Sequence, residues 1–244
     1  SQDYDLLLRC LPQIDKSQIV HIPRVLYHWR AIVGSTAADA GEKTYTTDAG
    51  IKALQDYFLD NGPKGINVCK GKTLNTYKVD WPIPNDAPKV SMLIPTRDGK
   101  DITEQAIRSI LDKTTYSNYD ILIIDNGSEK QETFDFFERI QAEDSRVSVI
   151  RYDQPFNYSA INNFGVKHTD GEIIGLINND VEVINPEWLT EMVMHAIRPD
   201  IGCVGAKLFY PNGQIQHAGV ITGLGGVAGH SHKYFPNDAV GYFK

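Results

Sequence analysis

The chain has 244 residues, 41% hydrophobic and 10% aromatic, which is ample for one sizeable core; length alone leaves one or two domains open. Its 24 basic and 31 acidic residues give a net charge of −7, which speaks against a nucleic-acid binder with a basic face but leaves room for an anionic small molecule held locally. Cys10, Cys69 and Cys203 are odd in number, far apart and without a CxxC pair, so neither a disulfide framework nor a zinc cluster is indicated, and a reduced, cytosolic compartment fits best.

In chain order, residues 3–10 (DYDLLLRC) suit a helix with a Leu-rich face. Ile19 to Trp29 is β-prone but interrupted by Pro23, and predicts an edge strand or an extended strap. Residues 34–47, rich in Gly, Ala, Ser and Thr, read as a loop. Asp48 is placed to cap a helix over 49–59, where Ile51, Leu54, Tyr57 and Phe58 recur at helical spacing; Asn61-Gly62-Pro63 ends it. The following stretch closes with Pro82, Pro84 and Pro88, and predicts an extended, semi-rigid connection with a domain boundary.

After Pro88 the pattern becomes regular. Strands are predicted at 90–95, 119–125, 147–152 and 172–177, with helices at 101–113, about 131–141, 158–167 and from Pro186 to about 197. Strands alternating with helices imply βαβ units and a mainly parallel sheet, which binds ligands at the carboxyl ends of its strands. Four polar clusters fall there: Pro95-Thr96-Arg97-Asp98, Asp125-Asn126-Gly127-Ser128, the run Asp153 to Ser159 containing Asn157, and Asn178-Asn179-Asp180. Each alone reads as a turn, and Asn178-Asn179-Asp180 also as a hairpin whose return strand is Val181 to Ile184. Four at one rim point to a site. Asp125 can accept hydrogen bonds from a nucleobase or ribose, and Arg97 offers a planar donor fork to phosphate. Asp180 can hold Mg²⁺ or Mn²⁺, which in turn clamps a diphosphate.

The stretches VSMLIPTRDG, YDILIIDNGS, FNYSAINNFG, EIIGLINNDVEVINPEWL and GAKLFYPNGQIQHAGV, in this order over 89–244, resemble the family two glycosyltransferases of bacterial surface-polysaccharide synthesis. That resemblance implies an α/β GT-A fold, a Rossmann-like, mainly parallel sheet with flanking helices. It also implies an inverting transfer of a hexose or deoxyhexose from a nucleoside diphosphate-sugar to a hydroxyl of a growing polysaccharide or lipopolysaccharide glycan, free or lipid-linked, usually with Mn²⁺ or Mg²⁺. By position, Pro95, Thr96, Arg97 and Asp125 would bind the nucleoside, with Asn126 and Asn157 on the same rim. Asn178-Asn179-Asp180 stands in place of the family's Asp-x-Asp motif. Its first Asp is Asn178 here, so Asp180 would be the metal ligand, and Asn178 and Asn179 would belong to the nucleotide-sugar set. Ser1 to Arg9 (SQDYDLLLR) resembles the family's Glu-Asp-x-Asp-Leu-x-Leu-Arg element, in which Asp3 would be the general base.

The same resemblance extends to HIPRVLYHWR and GSTA, so residues 1–62 read as the end of one glycosyltransferase domain, 63–88 as a linker, and 89–244 as the start of a second. The chain opens on Ser1 without Met and closes on Lys244 without a terminating signal, so a fragment of a tandem parent is expected, carrying a smaller N-terminal α/β remnant. No apolar run reaches the roughly 18 residues of a span. The parent is expected in the cytoplasm or at the inner face of the plasma membrane, associated peripherally.

His217 and His230 are further metal candidates, since a His after the sheet can reach the metal or diphosphate in this family. Gly223 to Ala228 formally matches a dinucleotide fingerprint but lacks the helix that motif needs. Two rivals stand beside the transferase: a non-catalytic nucleotide-sugar-binding fragment, and a sugar nucleotidyltransferase, which the loop Pro95 to Gly99 fits poorly because it is not Gly-rich.

Overall fold

The computed structural model describes residues 2–28, 30, 45–239 and 241. Trp29, most of the predicted 34–47 loop, the GSTA stretch and four of the five closing residues lie outside them. The chain divides into two compact units, residues 1–82 with 206–244, and residues 83–205.

The first unit opens with helix α1 (Gln2–Cys10), which buries Leu8 and leaves Leu6 and Leu7 exposed. Residues 19–28 hold no strand, so the strap alternative stands. Helix α2 (Thr46–Asn61) starts earlier than its periodicity suggests: Tyr45 occupies the cap, and Asp48 lies inside the first turn. The first turn is tied down instead by the Thr46 and Thr47 hydroxyls, 2.8 and 3.1 Å from Oδ1 of Asn75. The expected linker runs without helix or strand only over residues 81–89, with a bend at Asn85 and Asp86. Before that, β1 (Asn67–Lys70) and β2 (Tyr77–Asp80) pair antiparallel, and Val68 buries against Leu8, Ala53 and Leu54.

The second unit carries the regular pattern: β3 (Val90–Thr96), α3 (Lys100–Lys113), β4 (Tyr119–Asp125), α4 (Gln131–Glu143), β5 (Val147–Arg151), α5 (Tyr158–Val166), β6 (Ile173–Leu176) and α6 (Trp188–Ala196). All sheet pairings here are parallel, in the order β5-β4-β3-β6. The expected α/β class with a parallel sheet and flanking helices is therefore what the chain adopts.

Alternation along the central strands sends side chains to two cores. Val90, Met92, Ile94, Ile121 and Ile123 pack with Ile107 and Ile110 of α3, Phe136, Phe137 and Ile140 of α4, and Leu189 and Val193 of α6. Leu93, Leu122 and Ile124 turn to the other face and meet Ile161 of α5. Gly165 lets α5 approach: a Cβ there would stand 2.5 Å from Ile124 Cδ1 and 3.1 Å from Leu93 Cδ1. Burial on both faces explains why these strands read as unbroken apolar runs.

Val181 to Ile184 forms no strand, and β6 pairs with β3 alone. The hairpin alternative therefore falls. Four short strands close the description, in the first unit: β7 (Leu208–Phe209) pairs with β8 (Ile215–His217), and β9 (Val220–Thr222) with β10 (Ala228–His230), each pair antiparallel.

Candidate functional site

The sheet order places a topological switch beside β3. The chain steps from β3 to β4 to β5 on one side, then returns to β6 on the other. Open parallel sheets bind ligands in the crevice at the carboxyl ends of the two strands that flank such a switch. Here those ends are Thr96-Arg97-Asp98 and Asn178-Asn179-Asp180.

Register aligns the rim. Thr96 lies opposite Asp125, and Asp125 opposite Arg151, so three adjacent strands present one row. Beyond Ile177, whose amide still donates to the Leu93 carbonyl at 3.0 Å, the fourth strand has left the ladder, yet Asn179 extends the row through its side chain. Its amide donates to Thr96 Oγ1 at 3.0 Å and to Thr103 Oγ1 at 3.2 Å, and the two threonine hydroxyls are 2.9 Å apart. Both threonines are buried, Thr103 completely.

Asp125 is 2% exposed, and both its oxygens are engaged. Oδ1 accepts the Ser128 amide at 2.9 Å, and Oδ2 meets Arg151 Nη1 at 2.6 Å. Arg151 also donates to the Ser128 carbonyl at 2.9 Å and to Asp153 at 2.6 Å, so it joins the loops after β4 and β5. A buried carboxylate needs such a partner, because an unpaired one would carry the full desolvation penalty.

Asn126 commits both amide hydrogens to backbone, to Tyr152 O at 3.0 Å and Gln154 O at 2.8 Å. Pro95 sits in β3 opposite Ile124. Arg97 is exposed, with Glu129 3.3 Å from its guanidinium. Asn157 caps α5 by accepting the Ala160 amide at 3.0 Å.

Asp98, at φ 51°, receives the backbone amides of Glu129 and Lys130 at 3.1 and 3.0 Å. Those bonds, that from Lys130 foremost, hold its carboxyl below the ordinary aspartate range. Asp98 thus ties the loop after β3 to the start of α4.

The segment after Asn178 pairs with α3 instead of with a strand. Ser109 Oγ accepts the Val183 amide at 3.1 Å, and Lys113 Nζ donates to the Val183 carbonyl at 2.8 Å. Glu182 takes Lys113 at 3.0 Å and Gln105 at 3.3 Å. A segment must place its backbone polar groups somewhere. Here α3 side chains serve where a return strand would have.

Asn178 and Asp180 flank this pinned turn and are exposed. Among the described residues Asp180 has no ion-pair partner, and no group of three or more His, Cys, Asp or Glu side chains gathers into a metal site. A single carboxylate with a neighbouring amide oxygen does not make a closed cage. It does fit a hard cation that keeps several waters and takes further oxygens from a diphosphate.

Thr96, Asp125, Asn126 and Asn179 are thus brought together, with Asp180 at the end of the row. Asp3, His217 and His230 belong to the first unit. Asp3 is exposed in the first turn of α1. His217 and His230 meet each other, Nδ1 to Nδ1 at 2.9 Å with rings near perpendicular, so one nitrogen donates and the other accepts. Sequence reasoning placed Ser128 in a rim cluster but missed Thr103 and Arg151. Arg151 could have been found by counting the charged residue near the end of the third predicted strand as part of the rim.

A sequence model described as glycosyl transferase family 2 matches residues 91–231. This chain belongs to that family. Among curated relatives, the uncharacterized protein y4gI of Sinorhizobium fredii (strain NBRC 101917 / NGR234) is 49% identical over 243 residues, covering 100% of this chain and 27% of the relative. The O-antigen biosynthesis protein RfbC of Myxococcus xanthus is 37% identical over 240 residues, covering 98% of this chain and 18% of the relative. The chain therefore spans about a quarter or less of the curated relatives it matches. Among solved structures, the mannosyltransferase PcManGT from Pyrobaculum calidifontis, in complex with GDP-Man and Mn²⁺, aligns with 50% of this chain and 37% of its own at 17% identity and a TM-score of 0.45. Residues 1-349 of S. aureus TarS align with 44% of this chain and 32% of their own at 20% identity and a TM-score of 0.37. The family match includes all four strand ends of the rim. No helix among the described residues is long and apolar enough to cross a membrane.

Proposed function

We propose that residues 89–244 bind a nucleoside diphosphate-sugar for an inverting glycosyl transfer in polysaccharide synthesis. The observation that carries this reading is the polar row Arg151, Asp125 and Thr96, which lies in register across the strand ends of a family 2 chain, with Asp180 on the turn after the fourth strand. The name of the Myxococcus relative supports an O-antigen-type glycan as the product class.

In this reading Pro95, Thr96, Arg97 and Asp125 receive the nucleoside, Arg97 lies nearest the phosphates, and Asn126 and Asn157 shape the loops around them. Asn178 donates to the sugar or ribose. Asp180, with Asn178 beside it, would hold Mn²⁺ or Mg²⁺; when bound, that cation supplies charge stabilisation to the departing diphosphate. The acceptor hydroxyl oxygen bonds to the anomeric carbon as the bond from that carbon to the diphosphate oxygen breaks. Its proton passes to a carboxylate base of the Asp3 kind. Residues 1–62 are then the end of a preceding transferase domain, 63–88 its connection, and His217 and His230 secondary metal candidates.

Calorimetric titration with UDP, GDP and dTDP, with and without Mn²⁺, followed by a sugar-transfer assay on a glycan acceptor, tests this reading. Micromolar, Mn²⁺-dependent binding together with transfer is expected. Binding without turnover would favour a non-catalytic nucleotide-sugar-binding fragment, and no binding at all would sink the donor site.

A further inference from the structure

We infer that Asn179 does not touch the donor but is a positioning residue, the pin that fixes the Asn178–Asp180 turn against β3 and α3. The inference rests on the donor-site reading above. It departs from the expectation that all three residues of the motif face the ligand.

The turn has three side chains and two environments. Asn178 and Asp180 are exposed, whereas Asn179 is partly buried with its amide nitrogen committed to two hydroxyls. Those acceptors are themselves rigid. Thr96 is the last residue of β3, Thr103 lies in the first turn of α3, and each is 5% exposed or less. Thr96 Oγ1 also approaches the Asp98 carbonyl at 3.3 Å, which links the pin to the loop after β3. Buried side-chain bonds of this kind hold one geometry because breaking one leaves a polar group unsatisfied.

Pinning matters here because the turn has no strand partner. β6 ends at Leu176, and the next bonds from this segment to α3 after Asn179 come from Glu182 and Val183. Asn179 therefore supplies the side-chain anchor at the residue next to Asp180. With only one carboxylate in the motif, cation affinity depends on where that carboxylate is held. A misplacement of about 1 Å at a ligand or catalytic group is enough to weaken a site.

The test uses Asn179→Ala, the near-isosteric Thr103→Val and the double variant, read by titration with UDP, GDP and dTDP. If Asn179 pins the turn, each single variant lowers Mn²⁺-dependent affinity at least fivefold and leaves Mn²⁺-free affinity within twofold. The double variant then costs less than the sum of the singles, because the Asn179–Thr103 bond is lost in both. Amide exchange across residues 178–183 rises in all three. Two results overturn the inference: loss of Mn²⁺-free affinity in Asn179→Ala with Thr103→Val unaffected, which marks a direct donor contact, or wild-type affinity in both singles. If the wild-type chain binds none of the nucleotides, the donor-site reading fails instead. The exchange measurement then still decides the pin, and unchanged exchange in the variants refutes it.

Discussion

Residues 83–205 and the remainder of the described chain bury apolar surface in different ways. The first of these regions stacks long strands between helices, and Met92, Leu93, Ile94, Ile121, Ile123 and Phe136 are at or near zero exposure. The other relies on two-stranded sheets and two helices. Its buried apolar residues among those described are Leu8, Ala53, Leu54, Val68 and Ile215, while Val20, Val25, Leu26 and Tyr27 are 70% or more exposed. A two-stranded sheet covers little and is marginal without a packing partner. A four-stranded parallel sheet with helices on both faces fixes its strand ends in register, and those ends form the candidate site.

Core truncation should separate the two regions most sharply. Phe136→Ala, at a fully buried side chain, should destabilise residues 83–205 by about 3–5 kcal/mol in denaturant unfolding, whereas Leu54→Ala should cost about 2–3 kcal/mol. Amide exchange will locate each loss. Faster exchange of β3 and β4 in Leu54→Ala would mean that the two units do not unfold separately.

Metal binding separates them next. Asp180→Ala should lower Mn²⁺-dependent nucleotide affinity about 100-fold, roughly 2.7 kcal/mol, and His217→Ala less than about threefold. The reverse ranking, measured by calorimetry, would move the cation from the sheet to the histidine pair.

A smaller effect is expected at Asp98, where Asn keeps the tolerance for positive φ and removes the charge. Because the folded-state pKa is depressed, the carboxylate's contribution is present above the unfolded value of about 3.9 and lost as pH falls through the folded one. Asp98→Asn should therefore lower the urea midpoint at pH 7, and the gap from wild type should close as pH drops below about 4. A gap that persisted at pH 2 would assign the effect to shape and not charge.

The smallest change is expected at Lys52, paired with Asp56 at 3.3 Å on the solvent side of α2. Lys52→Met should shift stability by no more than about 0.5 kcal/mol and vanish in 1 M salt. A larger, salt-resistant loss would show that the first unit depends on its surface charges.

Much of the sheet was legible because its strands are unusually plain. Met92 to Ile94 and Ile121 to Ile124 are apolar on both faces, as a doubly covered parallel strand requires. The helix expected over 158–167 forms as Tyr158–Val166, and only the structure shows Asn157, read from the sequence as a rim residue, to be its cap. The linker was less legible. Asn67 to Lys70 and Tyr77 to Asp80 are short and mixed in polarity, and they become strands only because α1 and α2 offer Val68 a surface. The cap of α2 was misplaced for a similar reason, since Asn75 lies far along the chain from the threonines it bonds.

By itself the sequence determined the βαβ order, the polar ends of four strands and membership of glycosyl transferase family 2, because these depend on local periodicity and motif. Only the tertiary structure decided how the polar residues divide their work. Asp125 is closed by Ser128 and Arg151, Asn126 is spent on backbone carbonyls, and Asn179 turns inward to two threonines while Asp180 stays outside. A side chain's role at the rim follows from which donors and acceptors its neighbours leave unsatisfied, and those neighbours come from strands and helices distant in sequence.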